Sequence, residues 1–474
     1  MEKNNKIKNL SQNAILFTIS GFGTRIVSFF LVPFYTYVLS TGEYGKVDLV
    51  TTTVQLLIPI LTINIQDAVL RFSLDEQYQK EDVISAGLQT VCLSTVLLSV
   101  GLFVLKFLGS ITLEVNYILF LYVSFIVGAI NNNLSMYIKA KNQVRVLAVW
   151  GIINTIITCI CNLFLLLVLK MGVNGYMIAY VSGTIVADIG MFLSGDVLRD
   201  LKKSRNTSPI ICTMLLYGAP LIANSLGWWI NNASDRYILT YFCGAAVNGV
   251  YAVSYKIPSI LSALQSVFYN AWSISSITEF DAEDTDGFIG DTYTVYSSLS
   301  FLACSLIMLL NIYIARLLYS KDFFVAWRYV PLLLIGTVFN GLGLFGGCIY
   351  TAVKRTKDIS ITTIISALIN TLLNFLLIPI VGAYGAAFAT MVGYFAIWLT
   401  RTVGLKKIIR MKVDWKCQIG MIATILIQCV VASISGNVLY QIPFVLTLCI
   451  FQRKILFKLL DKFVSLSGLK RQMK

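Results

Sequence analysis

The sequence predicts an all-α, polytopic membrane protein. It would have about 14 transmembrane helices, arranged as two six-helix bundles in parallel repeat around a central cavity, plus two extra helices. Three observations predict this. Hydrophobic residues make up 57% of the 474 positions, and charged residues only 13%, about half the share usual in soluble proteins. The apolar residues fall into runs of 20 or so, the length that crosses a bilayer as a helix. The runs are bounded by short polar clusters rather than by folded polar domains.

In chain order the expected spans are 13–39, 46–72, 83–108, 116–138, 147–169, 175–195, 213–243, 249–277, 288–318, 324–352, 359–380, 385–403, 417–434 and 436–452. The last is short and carries Pro443. Seven prolines fall within these spans (Pro33, Pro59, Pro220, Pro258, Pro331, Pro379 and Pro443) and are expected to kink or open helices; Pro209 is expected in a loop. The polar start MEKNNKIKNL leads directly into a full-length span and lacks the pattern of a cleaved signal peptide.

The net charge of +14 becomes intelligible once the basic residues are sorted by side. With the amino terminus in the cytoplasm, 26 of the 37 Lys and Arg lie on cytoplasmic segments, 5 on the opposite face and 6 inside spans. The positive-inside rule then puts both termini in the cytoplasm of a cytoplasmic (inner) membrane. The charge belongs to a surface facing anionic lipid, and no nucleic acid is needed to explain it. The tail from Arg453, with Ile455, Leu456, Leu459 and Leu460 among lysines, reads as a segment lying along that surface.

An internal repeat is legible. TYVLSTGEYGKVDL at 36–49 aligns without a gap to TYFCGAAVNGVYAV at 240–253, placing Gly45 opposite Gly249. Ala140 precedes Asn162 by 22 residues, as Ala352 precedes Asn374, and Gly172-x-x-Gly175 answers Gly382-x-x-Gly385. The offsets of 204, 212 and 210 fall on an even number of spans, the mark of a parallel repeat whose halves share orientation. This divides the chain into a lobe over 1–206, a second over 207–410, and two additional helices with a basic tail over 411–474.

Several chemistries are excluded. Without histidine there is no Ser-His-Asp centre and no zincin motif. No P-loop or dinucleotide fingerprint occurs. The ten cysteines form no C-x-x-C and read as packing thiols. No enzyme activity, cofactor or metal is expected, and EFDAEDTDG at 279–287 reads as a solvated loop.

The informative residues are charges inside spans, since each costs about 2.5–3.5 kcal/mol on insertion scales. Arg25 lies 12 residues into the first span, about 18 Å along the axis. It reads as a cavity arginine for an anionic group, or as an interhelical lock to a carboxylate such as Asp67. Asp67 and Arg71, at i,i+4, are expected to pair on one face; Arg71 can also snorkel from the helix end. WWINNASDRY at 228–237 is too polar to face lipid. Its Trp229, Asn231, Asn232, Asp235 and Arg236 imply a wet cavity or polar glue between helices. Lys256, just before Pro258, is a further cavity candidate. Asp188 reads either as a coupling-ion ligand or as a buried neutral acid. Arg316 and Arg401, near span ends, are expected to snorkel.

LVPFYTYVLSTGEYGKVDL at 31–49, DAVLRF at 67–72, YGAPLIANSLGWWINNASDRYIL at 217–239, NGVYAVSYKI at 248–257 and KRTKDISITTIISALINTLLNFLLIPIVGAYGAAFAT at 354–390 together resemble the Wzx-type polysaccharide-biosynthesis flippases. These belong to the multidrug/oligosaccharidyl-lipid/polysaccharide exporter superfamily. The resemblance spans essentially the whole chain. It implies translocation of undecaprenyl-diphosphate-linked oligosaccharide repeat units from the inner to the outer leaflet by alternating access, coupled to a gradient of H+ or Na+. Other glycan-assembly membrane proteins are the implied partners. Arg25, Arg71, Arg236 and Lys256 would neutralise the diphosphate, with Asn231, Asn232 and Trp229 beside them. Asp67, Asp188 and Asp235 are the coupling-ion candidates. The alternative is a drug/cation antiporter of the same superfamily. The candidate cavity, with four basic residues against three acidic, leans toward an anionic substrate. A membrane glycosyltransferase, polymerase or passive scaffold would be expected to carry larger extramembrane loops.

Overall fold

The computed structural model describes residues 29–109, 113–204, 207–453 and 455. All regular structure among them is helical. Two compact units emerge from the packing, Met1–Ala252 and Val253–Lys474.

The first unit contains α1 (Val32–Val38), α2 (Thr41–Leu61), α3 (Ile65–Ser73), α4 (Lys80–Phe107), α5 (Val115–Ala140), α6 (Val144–Asn162), α7 (Gly172–Ser194), α8 (Val197–Lys203) and α9 (Ser208–Cys243). α10 (Ala245–Ser254) straddles the division. The second contains α11 (Pro258–Thr278), α12 (Phe288–Leu318), α13 (Val330–Ala352), α14 (Thr356–Val381), α15 (Ala383–Leu405), α16 (Trp415–Ile434) and α17 (Ile442–Phe451). By packing, α9 groups with the first unit, whereas the sequence repeat counts it as the start of the second half.

Among the described residues ten helices are long and apolar enough to cross a membrane, or eleven if the bent pair α2–α3 is one span. Phe103, Phe107, Leu368 and Ile434 are among the many large apolar side chains left exposed on these helices. On helices of this length, such exposure is a lipid-facing surface. The chain is a multi-pass membrane protein. The expected count of about 14 is not established. The first expected span lies mostly outside the described residues, and α10 and α17 are short apolar helices.

Local chemistry explains several departures from the expected spans. Ser40 caps α2, its hydroxyl accepting from the Glu43 N–H at 3.2 Å while the Glu43 carboxylate accepts from the Ser40 N–H at 2.8 Å, a capping box. The span expected over 46–72 is broken: α2 and α3 meet at 55°. Pro59 removes one ladder donor, and Ile63 and Asn64 then adopt φ of 54° and 50°, which ends the right-handed helix. Asn64 is fully buried and bonds Ser225 of α9 at 3.0 Å. The span expected over 249–277 is likewise interrupted, between α10 and α11. Proline is less often a kink than expected. Only Pro59, Pro220 and Pro379 lie inside helices. Pro33, Pro258, Pro331 and Pro443 occupy first turns, as does Pro209, which was expected in a loop. There the missing N–H has no partner to lose.

Corresponding contacts recur inside the two units. A Cβ on Gly175 would meet Leu165, and one on Gly385 would meet Leu377. Gly183 faces Asn154 and Thr158, and Gly393 faces Ser366 and Asn370. These are the positions that the 210- and 212-residue offsets bring into register. α6–α7 and α14–α15 are therefore the same close-packed hairpin, built twice. Gly382 closes the second hairpin at φ 58° and ψ −133°, a conformation open essentially only to glycine.

Candidate functional site

The most polar seam within an apolar span is the α9 segment from Trp228 to Tyr237. Among the described residues its side chains are fastened mainly to α2. The Arg236 guanidinium forms an ion pair with Asp48, and both side chains are largely buried. Asn248 donates to the second Asp48 oxygen at 3.3 Å and to the Gly45 carbonyl at 3.2 Å. That approach is possible because Gly45 and Gly249 pack backbone to backbone: a Cβ on Gly45 would lie 1.9 Å from the Ala245 carbonyl oxygen. Asp235 is buried and accepts from the Tyr251 hydroxyl at 2.6 Å. The Trp229 indole donates to the Thr52 carbonyl at 2.9 Å, with the Tyr237 ring 5.4 Å away. Asn231 and Asn232 donate back to the carbonyls of Gly227 and Trp228, at 3.2 and 2.7 Å. Asn231 is buried and Asn232 exposed.

The other candidates are placed differently. Arg25 lies outside the described residues, as do Leu456, Leu459, Leu460 and most of the basic tail. Asp67 is half-buried on α3. The expected pair with Arg71 does not form: Arg71 instead reaches forward one turn to Asp75, at 3.5 Å. Asp75 lies beyond the end of α3, where its carboxylate and the exposed guanidinium meet in a polar setting. Asp188 is buried in α7 and accepts from the Asn131 amide at 2.7 Å. Lys256 is half-buried in the turn joining α10 to α11, and among the described residues it makes no ion pair. It belongs to the second unit, whereas Arg71, Asp188, Asn231, Asp235 and Arg236 belong to the first.

Two residues escaped sequence reading. Asp48 was hidden near the start of an expected span, although Gly45-x-x-Asp48 is spaced to put both on one helix face. Arg401 was expected to snorkel. It is instead 1% exposed, among the largest fully buried side chains. Its Nη1 donates to the Gly343 carbonyl at 2.8 Å, Nε to the Thr362 hydroxyl at 3.2 Å and Nη2 to the Thr363 hydroxyl at 3.1 Å. Three helices of the second unit, α13, α14 and α15, thus converge on one guanidinium. The signal was present in GLGLFGG at 341–347, which clears space for a large side chain, and in the adjacent threonines.

The first unit also holds two clefts that share Asn131. One, of about 270 Å³, runs past Ser135, Lys139, Trp150 and Asn154. The other, of about 240 Å³, is lined by α2, α5 and α7. Among the described residues no cluster of three or more Cys, Asp and Glu is placed to hold a metal ion, and all ten cysteines are free thiols.

The family model described as polysaccharide biosynthesis protein matches residues 10–273. No curated protein matches the chain. Among solved structures the fold is similar to the lipid II flippase MurJ in an inward closed conformation. The TM-score is 0.70 at 16% identity, covering 94% of this chain and 100% of that one. It is also similar to an inward-facing multidrug resistance MATE family transporter of the MOP superfamily, with TM-score 0.65 at 12% identity over 81% and 95% of the two chains. A third is a MOP superfamily transporter from Pyrococcus furiosus, described as having a binding pocket of reverse polarity. It gives TM-score 0.59 at 14% identity, covering 85% and 96%. At these identities the likeness is one of fold.

Proposed function

The chain belongs to the polysaccharide biosynthesis protein family, a family of membrane transporters rather than enzymes, and from that premise we propose that it flips undecaprenyl-diphosphate-linked oligosaccharide units. Transfer would run from the cytoplasmic to the outer leaflet of the bacterial inner membrane, with both termini cytoplasmic. The observation that carries this reading is the combination of that family with a fold matching a lipid II flippase over 94% of the chain.

No bond is made or broken in such a step. The protein must replace the hydration lost by a diphosphate entering a low-dielectric path, which takes cations and hydrogen-bond donors. Arg25, Arg71, Arg236 and Lys256 fill that role in this proposal. Asn231, Asn232 and Trp229 offer amide and aromatic surface to sugars. Arg236 is held in place by Asp48, so a diphosphate arriving there exchanges one anion for another and leaves no buried cation bare. Alternating access would be driven by H+ or Na+, with Asp67, Asp188 and Asp235 as the carboxylates that take up the ion. Anionic lipid at the cytoplasmic face and other glycan-assembly membrane proteins are the remaining partners.

The likeness to multidrug transporters keeps a drug/cation antiporter as the second reading. Variants in the native host separate the two. Arg25→Ala and Arg236→Ala are expected to abolish glycan export at normal protein levels, with Arg→Lys restoring part of it, while drug resistance stays unchanged. Wild-type export from an alanine variant would remove that residue from the proposed site. Lost drug resistance with intact export would favour the antiporter.

A further inference from the structure

The 240 Å³ cleft in the first unit is built from three helices and takes no part in the Arg236 seam. α2 contributes Thr51 and Gln55, α5 contributes Ser124, Asn131 and Asn132, and α7 contributes Tyr180 and Thr184. On α5 these positions fall at i, i+7 and i+8, one face of a helix. Among the described residues its polar lining is made only of amides and hydroxyls, with no charged side chain. We infer that this cleft is a subsite for one neutral sugar ring of the transported glycan. This rests on the flippase reading above.

The lining and geometry of the cleft carry it. Ser124 is 5% exposed, and its buried hydroxyl has no hydrogen-bond partner among the described residues. A buried polar group left open in this way points to a ligand. Asn131 turns its amide N–H toward Asp188 at 2.7 Å, which fixes the flip of the side chain and leaves the amide carbonyl for a hydroxyl donor. Amides and hydroxyls both donate and accept, matching sugar hydroxyls. A diphosphate would call for Arg or Lys, and a bound divalent cation for carboxylate oxygens in the lining. The volume lies below the roughly 300–1,000 Å³ of drug-sized pockets, a size for one ring. Tyr180 stands half-exposed at the wall, braced edge-on by Phe120 at 5.7 Å, and offers an aromatic face to a pyranose. Gly128 sets the floor: a Cβ there would sit 3.1 Å from the Ile58 side chain.

In this arrangement Asp188 is a positioning residue. It does not touch the sugar but holds the Asn131 amide in the orientation that does.

The test uses the full chain in nanodiscs with two probes. Saturation-transfer NMR with methyl glycosides of neutral hexoses should give a signal for at least one hexose, lost in Ser124→Ala and in Thr184→Val. Both substitutions remove a hydroxyl without adding volume, and an unchanged thermal midpoint shows that they fold. Undecaprenyl diphosphate bearing that hexose should bind about ten-fold tighter than bare undecaprenyl diphosphate. The preference should vanish in both variants and in Asn131→Leu, with binding of the bare lipid unchanged. Absence of any hexose signal, or a signal indifferent to the variants, would overturn the subsite. Equal binding of the two lipids would overturn it while leaving the flippase reading intact. A hexose signal with no binding of either lipid would instead uphold the subsite as a sugar site and fail the flippase reading. Sodium-dependent binding without hexose preference, lost in Ser124→Ala, would make the cleft a cation site and overturn the inference.

Discussion

Arg401 and Arg236 meet the cost of a buried guanidinium in opposite ways. Arg236 is neutralised by Asp48, whereas Arg401 is solvated by one carbonyl and two hydroxyls from two neighbouring helices. The five donors of a guanidinium form a rigid fork that an ammonium cannot reproduce. Arg401→Ala is expected to destabilise the protein by about 3 kcal/mol, combining a large-to-small cavity with lost charge-assisted hydrogen bonds. Arg401→Lys is expected to recover less than half of this, because one nitrogen cannot span Gly343 and both threonines. Thermal unfolding in detergent checks both. A lysine variant as stable as wild type would show that charge alone matters there. At this scale the sequence revealed which residues were chemically unusual but not what each one touches. Arg71 paired forward to Asp75 rather than back to Asp67. Arg401 turned inward because Gly346 and Gly347 on α13 made room for it. Partner choice depends on tertiary approach, which periodicity does not encode.

The elements show the same division. Runs of apolar residues located the long helices, since length and hydropathy are local properties. Breaks were harder. Pro59 was legible as a disruption, but the turn at Ile63 and Asn64 is held open by Ser225 on α9, an element far along the chain. Asn64→Ala removes both a residue tolerant of left-handed φ and that bond. It is expected to cost about 1–2 kcal/mol, whereas Asn64→Gly, which keeps the backbone conformation, should cost less. Urea midpoints distinguish them, and equal losses would assign the effect to the hydrogen bond alone.

The 279–287 loop behaves differently. Hydrogen bonds from the Thr285 hydroxyl, the Thr285 N–H and the Glu283 N–H hold the Asp281 carboxyl below the usual carboxylate range. A depressed folded-state value stabilises the loop above the unfolded pKa, about 3.9, and the contribution is lost as pH falls through the folded value. Amide exchange at Glu283 and Thr285 should therefore stay protected at pH 5 and open only below about pH 3.9. Asp281→Asn should weaken protection already at neutral pH. Loss of protection near pH 6 in the wild type would contradict this account of the loop.

For the whole molecule, the parallel repeat was the most far-reaching feature written in the sequence. The Gly183 and Gly393 contacts, built alike in the two units, show its physical basis: a small residue that lets paired helices approach closely. What the repeat could not supply was the grouping of α9 with the first unit, since that follows from packing against α2, α3 and α4. In the proposed mechanism, the Asp48–Arg236 pair gives the lipid diphosphate its exchange partner, and the neutral cleft beside Asn131 reads a sugar. Both depend on the chain moving a lipid-linked glycan across the bilayer. The most direct measurement places the purified protein in proteoliposomes with a fluorescent undecaprenyl-diphosphate oligosaccharide. It then follows the glycan's accessibility to an external glycosidase under imposed proton and sodium gradients. Protein-dependent translocation that is lost in Arg236→Ala is the expected result. No translocation of the lipid-linked glycan under either gradient would contradict the account.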